Sequence, residues 1–282
     1  MKKHTDIITR LLALFAFGLI VFGQTSCQEP VDEDEALKRQ LERQKAAQAP
    51  RAGLSFGYYH ELEDIDEGGP VRVQTDDSAQ IEITEAHLVV SALEAHLCEP
   101  ELAGRLYDVL VPSAHAHVPS SATRLGIPFV EDLFERSRAR VVGEIAPPLG
   151  EYCRLYAVLS PADDDVLNLG ALDVEEIEGK TLLVRGRWRP PSNEESDGEW
   201  QPFEASSTTR RVVELDAIDP NTGQAPLELD DPSQTKMLLL DKTVSPALFE
   251  GIDPESLGES QAADHILDQI SDGLHIRSFK NN

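Results

Sequence analysis

Two histidines lie one residue apart in the segment SAHAHV, residues 113–118. In an extended backbone, residues i and i+2 project to the same side, so His115 and His117 can reach one Cu or Zn ion. The alternative is a polar loop that carries two exposed histidines, since neither an HExxH motif nor a Cys/His zinc spacing accompanies the pair. The candidates for a third ligand are His60, His87 and His96.

Cys27 follows a segment that predicts export and lipidation. Three basic residues precede an apolar run over 11–23, which is the order of a secretory signal. The run is too short for a spanning helix, which needs about 20 residues. The sequence QTSC at 24–27 resembles the lipobox of bacterial lipoproteins, whose cysteine is acylated, although Gln24 replaces the usual aliphatic residue. The alternatives are a signal peptide cut by the ordinary protease and an uncleaved short anchor.

Cys98 and Cys153 remain as an even pair once Cys27 carries lipid. Export places them in an oxidising compartment, where a structural disulfide is the ordinary outcome. Closing a loop of about 55 residues would stabilise the fold by about 4 kcal/mol in the chain-entropy model. Two buried free thiols or two thiolate metal ligands are the alternatives, and the lack of a CxxC spacing disfavours the ligands. We therefore expect a disulfide.

The balance of charge restricts the partners. The chain has 51 acidic and 25 basic residues, a formal net charge of −26. Such a surface repels phosphate backbones, so we exclude nucleic acid as a partner. The sequence also has no GxSxG, P-loop, GxGxxG or HExxH motif, and we expect a protein that is not an enzyme.

Two weaker patterns have ordinary structural explanations. Asp163, Asp164 and Asp165, followed by Asn168, offer oxygen ligands for Ca²⁺, but they do not match an EF-hand loop and are more typical of a solvated turn. The aromatic residues can line a sugar-binding face or pack the core and its edge. These residues are Trp188, Trp200, Tyr58 and Tyr59.

Changes in local composition along the chain predict three parts: a signal peptide over 1–26, a lipid-anchored polar linker over 27–52 and a β-rich extracytoplasmic domain over 53–282. The linker is rich in charged residues, Gln and Ala and lacks large apolar residues, so it cannot form a packed core. The third part has short β-branched or aromatic runs separated by Pro, Gly, Asp and Asn. This texture predicts a mainly β fold, a β-sandwich or barrel-like domain.

One segment is ambiguous between strand and helix. Residues 85–98 have apolar side chains at helical spacing, but Ile81, Ile83 and the Val89-Val90 pair favour a long strand, which we expect. A single C-terminal helix is predicted over 261–271, with Ser260 as its N-cap. The predicted strands are Leu54–Tyr59, Val71–Gln74, Gln80–Val90, Arg105–Val111, Arg140–Ile145, Arg154–Leu159, Thr181–Trp188, Arg211–Leu215, Lys236–Lys242 and Leu274–Phe279.

Three segments resemble motifs of lipoproteins from myxobacteria and their relatives: ITEAHLVV at 83–90, AHAHVPSSATRLG at 114–126 and PPLGEYCRLY at 147–156. This resemblance spans most of the chain after the signal and implies envelope localisation and a β-rich fold, with no assigned activity. A fainter similarity is to copper-binding lipoproteins that partner di-haem peroxidase-like proteins.

Two functions are therefore expected. The first is a membrane-anchored, non-enzymatic binding or structural module of the cell envelope that contacts the membrane through its lipid and binds an envelope protein or a glycan. Gln28 follows the lipidated cysteine, and because it is not the aspartate that retains lipoproteins at the inner membrane, we favour the outer membrane. The second is a periplasmic protein that binds Cu or Zn through His115 and His117.

Overall fold

Two β-sheets face each other across a shared apolar core, which is the sandwich form of the predicted fold. Strand formation follows the alternation of side chains, which is clearest in the second strand, where Val71 and Val73 are buried and the residues after each are not. The computed structural model describes residues 49–65, 69–75, 78–98, 120–135, 139–191, 198–252, 256–257 and 260–278.

The smaller sheet has four strands in the spatial order β13-β12-β1-β6. The two central strands, β1 and β12, run parallel, and the outer strands are antiparallel to them. The parallel register places His60 directly beside Lys242. The strands are β1 (Gly53–Leu62), β6 (Arg140–Ile145), β12 (Thr235–Val244) and β13 (His275–Ser278).

The larger sheet is built around one long strand, β3 (Gln80–Leu97). The order β10-β7-β3-β8-β9 forms its main path, three short strands also pair with β3, and one pairs with β7. The strands are β2 (Val71–Gln74), β4 (Arg124–Leu125), β5 (Phe129–Asp132), β7 (Gly150–Leu159), β8 (Leu182–Arg189), β9 (Gln201–Ser207), β10 (Arg211–Asp216) and β11 (Leu227–Leu229).

The long-strand prediction for β3 is confirmed, and burial explains why its sequence was ambiguous. Leu88, Val89 and Val90 are all nearly inaccessible, so both faces of the strand are covered. Leu88 and Val90 join the main core between the sheets, whereas Val89 packs in a second cluster on the outer face of the larger sheet. A strand buried on both faces has a continuous apolar run, which periodicity alone cannot separate from a buried helix.

The predicted C-terminal helix is confirmed as α2 (Ser260–Gly273), with Ser260 as its first helical residue. Its buried stripe joins the main core and contacts β9. Two shorter helical segments, α1 (Val174–Ile177) and a 3₁₀ helix (Pro246–Phe249), were not predicted. In the part of the chain that the structure describes, no helix is long and apolar enough to cross a membrane.

Four short or polar strands were missed in the sequence. β9 reads QPFEASS and β5 reads FVED, so neither shows a clean alternation of apolar and polar residues. Both exist because longer neighbours, β8 and β3, supply their hydrogen-bonding partners. β4 and β11 have only two and three residues. The predicted strand Arg105–Val111 lies outside the described residues.

Candidate functional site

A polar cleft of about 470 Å³ lies over the outer face of the larger sheet. Cross-strand pairing builds its floor, because His87 of β3 lies opposite Asp132 of β5 and Glu85 of β3 lies opposite Arg185 of β8. The segment 168–172 and Glu176 of α1 also line it. We call this site the β3 cleft. Its volume falls within the ~300 to 1,000 Å³ range of small-molecule sites.

His87 is the buried polar group of the β3 cleft. Its side chain lines the cleft, only 8% of the residue is exposed, and its Nδ1 has no hydrogen-bond partner among the described residues. Burial lowers the pKa of His87, against the opposing effect of the nearby Asp132 and Glu85 carboxylates. A neutral imidazole has one nitrogen that accepts a hydrogen bond, so His87 can receive a donor from a ligand.

The two arginines of the β3 cleft are held by the protein's own acceptors. Arg185 bonds Glu85 (3.3 Å) and Glu176 (2.8 Å) through Nη1, and Glu204 (2.9 Å) through Nε. These bonds raise the pKa of Arg185, with the bond to Glu204 first among the causes. Arg140 bonds the Glu135 carboxylate and the Asn168 side-chain oxygen.

Asp132 differs from the other acids of the cleft. One carboxylate oxygen accepts the Phe134 N–H at 2.9 Å, and within the described residues Asp132 makes no salt bridge. Four carboxylates and two guanidiniums line the β3 cleft, which with a neutral His87 leaves a net charge of −2. The β3 cleft is therefore suited to a cation or a hydrogen-bond donor.

A second polar cluster is buried between the two sheets. Glu131 of β5 forms an ion pair with Lys242 of β12, and His60 of β1 lies 3.5 Å from each of these side chains. All three residues are at most 2% exposed. Burial acts to raise the pKa of Glu131, but the Lys242 ammonium and His60 outweigh it and the pKa is lowered. Burial, followed by the Lys242 charge, lowers the pKa of His60.

Tyr58 connects this buried cluster to the β3 cleft. Its ring stacks on His60 with a centroid distance of 5.1 Å, and its hydroxyl accepts a hydrogen bond from the Asn168 side chain at 2.9 Å. Burial raises the pKa of Tyr58 to about 12. Asn168, which has a left-handed backbone with φ of 63°, also donates to the Val130 carbonyl and so fixes the edge of the cleft.

The predicted disulfide between Cys98 and Cys153 is confirmed, with an S–S distance of 2.11 Å. It joins the end of β3 to β7. The other predicted site residues, Cys27, His115 and His117, lie outside the described residues.

The three histidines considered as third ligands have different surroundings. His60 is in the buried cluster, His87 is in the β3 cleft, and His96 contacts Glu94 and the Tyr156 ring. Among the residues that the structure describes, no group of three or more His, Cys, Asp or Glu side chains is arranged to hold a metal ion. Asp164 and Asp165 are exposed and lie in a turn, whereas Asn168 binds Tyr58 and the Val130 carbonyl.

The aromatic residues do not form one exposed sugar-binding face. Tyr58 is buried and Trp188 packs against the main core. Trp200 is contacted by the Arg187 and Arg189 guanidiniums, whose carbon atoms lie 4.7 and 4.8 Å from the ring centroid. Tyr59 lies under Arg277 at 4.6 Å.

The sequence did not reveal the β3 cleft, since His87 stood only as a third metal ligand and Asp132 was unnoticed. A signal for the buried cluster, and for its neighbour Asp132, existed in the runs FVEDLF and LLLDKTV, in which charged residues interrupt apolar segments. Charged side chains are rarely buried unless they are paired, so such interruptions mark candidate buried ion pairs. Only the pairing of β3 with β5 and β8 shows which residues meet.

Comparison with known proteins gives no family for this chain. No family model matches it, and no curated protein matches it. One solved structure, MbnP from Methylosinus trichosporium, is similar at 12% identity over 68% of this chain and 75% of that chain, with a TM-score of 0.25. A TM-score this low does not establish a shared fold.

Proposed function

We propose that this chain is a membrane-anchored lipoprotein of the bacterial cell envelope whose β domain is a non-enzymatic binding module. The observation that carries the proposal is the Cys98–Cys153 disulfide. Structural disulfides persist in oxidising, extracytoplasmic compartments and are rare in the cytosol. The bond therefore supports export, which the signal-like segment and the lipobox-like sequence before Cys27 predict independently.

Binding, rather than catalysis, is the role that the β3 cleft supports. The cleft is of ligand size, and its arginines are occupied by the protein's own acceptors. The sequence contains none of the common catalytic motifs. The ligand would be an envelope component, either part of a protein or of a glycan, that meets the anchored domain.

Metabolic labelling with radioactive palmitate tests the anchor. We expect label in the wild-type chain and in Cys98→Ser, and none in Cys27→Ser. Cys98→Ser is the matched control, because it also removes one sulfur but leaves the lipobox-like sequence intact. Equal label in Cys27→Ser, or none in the wild type, would contradict lipidation. Fractionation of the labelled cells should place the wild-type chain in the outer membrane.

A second candidate function is binding of Cu or Zn, and the spacing of His115 and His117 favours it. Elemental analysis of untagged protein after reconstitution with each metal tests this candidate. We expect about one ion per chain in the wild type and in His275→Ala, and loss of the ion in His115→Ala/His117→Ala. A wild-type protein without stoichiometric metal would remove this candidate.

A further inference from the structure

We propose that the β3 cleft binds the primary ammonium group of an aliphatic amine, with Asp132 and His87 as its acceptors. The inference rests on the proposed function, because it names the ligand class of the binding module. Asp132 and His87 lie opposite each other in the register of β3 and β5. Each contributes a polar group that the protein leaves without a hydrogen-bond partner among the described residues: the second carboxylate oxygen of Asp132 and the neutral imidazole of His87, whose buried Nδ1 is unpaired.

Charge favours a cation over an anion in this site. Arg185 contacts three carboxylates, and Arg140 contacts one carboxylate and one amide. An anionic ligand would have to displace these bonds, whereas a cation meets Asp132, which has no ionic partner within the described residues. The formal charge of −26 on the whole chain also raises the concentration of cations near its surface.

The geometry favours an ammonium group over a metal ion. No group of three or more ligating side chains suits a metal in the described part of the chain. An ammonium has three N–H donors and needs acceptors rather than a coordination shell. The cleft also has an apolar lining that suits a short hydrocarbon stem next to the charged group: Phe134, Leu169, Ala171 and Leu172.

Calorimetric titration of the full processed chain in detergent tests the inference with three probes. Pentylamine has the ammonium and the stem, 1-pentanol has the same stem without charge, and Nα-acetyl-lysine methylamide presents the amine as a peptide side chain would. We expect pentylamine to bind at least tenfold more tightly than 1-pentanol. Binding of the lysine derivative as tightly as pentylamine would point to a protein as the source of the amine, and weaker binding would point to an amine carried by a glycan. Equal affinity for pentylamine and 1-pentanol would overturn the inference.

Two variants distinguish binding in the β3 cleft from nonspecific attraction by the negative charge of the chain. Asp132→Asn should weaken pentylamine binding about tenfold or more, since it removes a charge-assisted hydrogen bond. Asp216→Asn makes the same change at an exposed residue of β10 and should leave the affinity within twofold. Equal weakening by the two variants would overturn the inference, because binding would then reflect overall charge.

A readout on the wild-type protein covers the case in which Asp132→Asn does not fold. In protein labelled with ¹⁵N-histidine, pentylamine should shift the ring-nitrogen signals of His87, identified by their loss in His87→Gln. Unchanged His87 signals at saturating amine would overturn the inference. If the His87 signals were unchanged while palmitate still entered at Cys27, the proposed ligand class would be wrong, whereas the proposal of an anchored lipoprotein would remain supported.

Discussion

The Glu131–Lys242 ion pair links the two sheets through side chains that water does not reach. A buried pair of this kind gains Coulomb energy but has lost the hydration of both charges, so its net stabilisation is small. Removing one partner is different, because the remaining charge stays buried without compensation. We therefore expect the pair to contribute mainly to the choice of one packing arrangement between β5 and β12.

A double-mutant cycle tests this interpretation. Glu131→Leu and Lys242→Met should each lower the free energy of unfolding by about 3 to 5 kcal/mol. The double variant, which replaces the pair by apolar side chains of similar size, should lose much less than the sum of the two. Urea denaturation measures all four proteins. Additive losses, within about 0.5 kcal/mol, would show that the two charges do not interact.

The two buried histidines predict a pH dependence of stability. Burial is the main cause that lowers the pKa of both His60 and His87 below the ordinary 6.5. As the pH falls through 6.5, the unfolded chain takes up protons that the folded chain does not, so the folded state loses stability. The free energy of unfolding should be constant above about pH 7.5 and should decrease from there toward pH 5.

His87→Gln removes one of these two groups and should reduce the slope of stability against pH between 7.5 and 5. Denaturant titrations of the wild type and the variant at several pH values measure the slope. Carboxylates with lowered pKa, such as Glu94 and Asp219, act below this window and do not obscure it. An identical slope in the two proteins would contradict a neutral His87 in the fold.

At the scale of elements, β3 organises the larger sheet. Among the described strands, β2, β4, β5, β7 and β8 pair directly with β3, and β10 and β11 join the sheet by pairing with β7. Close approach to β8 is part of this arrangement. A Cβ added at Gly186 of β8 would lie 2.1 Å from the Glu82 carbonyl oxygen, which belongs to the backbone of β3. Only glycine allows the two strands to pair at this point, where the register of β3 shifts between Ile83 and Glu85.

Gly186→Ala should therefore lower the free energy of unfolding by about 1 to 3 kcal/mol, since the backbone has to move to avoid the clash. Gly273→Ala is the control, because a Cβ there meets no atom within 4 Å. Thermal and urea denaturation compare the two variants with the wild type. A Gly186→Ala protein as stable as Gly273→Ala would contradict the tight pairing of β3 and β8.

The elements that could be predicted from the sequence are those whose own spacing of apolar residues matches the positions that are buried in the fold. Val71–Gln74 and Arg140–Ile145 have the bounds that were predicted, and α2 was visible in its apolar stripe. β5 and β9 were missed because their stability comes from pairing with distant segments rather than from local composition. The β3 cleft was missed for the same reason: it requires the register that pairs His87 with Asp132 and Glu85 with Arg185, residues that are distant in sequence.

At the scale of the whole molecule, a strongly acidic chain combines with a β-sandwich in which the Cys98–Cys153 disulfide joins the end of β3 to β7 within the larger sheet. The acidity is compatible with an anchored protein that does not associate with anionic polymers. The disulfide in the folded domain and the signal-like N-terminal segment support the same prediction, that the protein resides outside the cytoplasm. The folded unit from Pro50 onward contains the β3 cleft and the buried cluster of Glu131, Lys242 and His60.

The intact mass of the chain extracted from the envelope under denaturing, non-reducing conditions tests the central claim most directly. We predict a polypeptide that begins at Cys27, carries three acyl chains, and has two hydrogens fewer than the reduced sequence. Cys27→Ser should lose the acyl mass while Cys98→Ser keeps it. A chain that begins elsewhere without lipid, or one with both Cys98 and Cys153 as free thiols, would contradict the account.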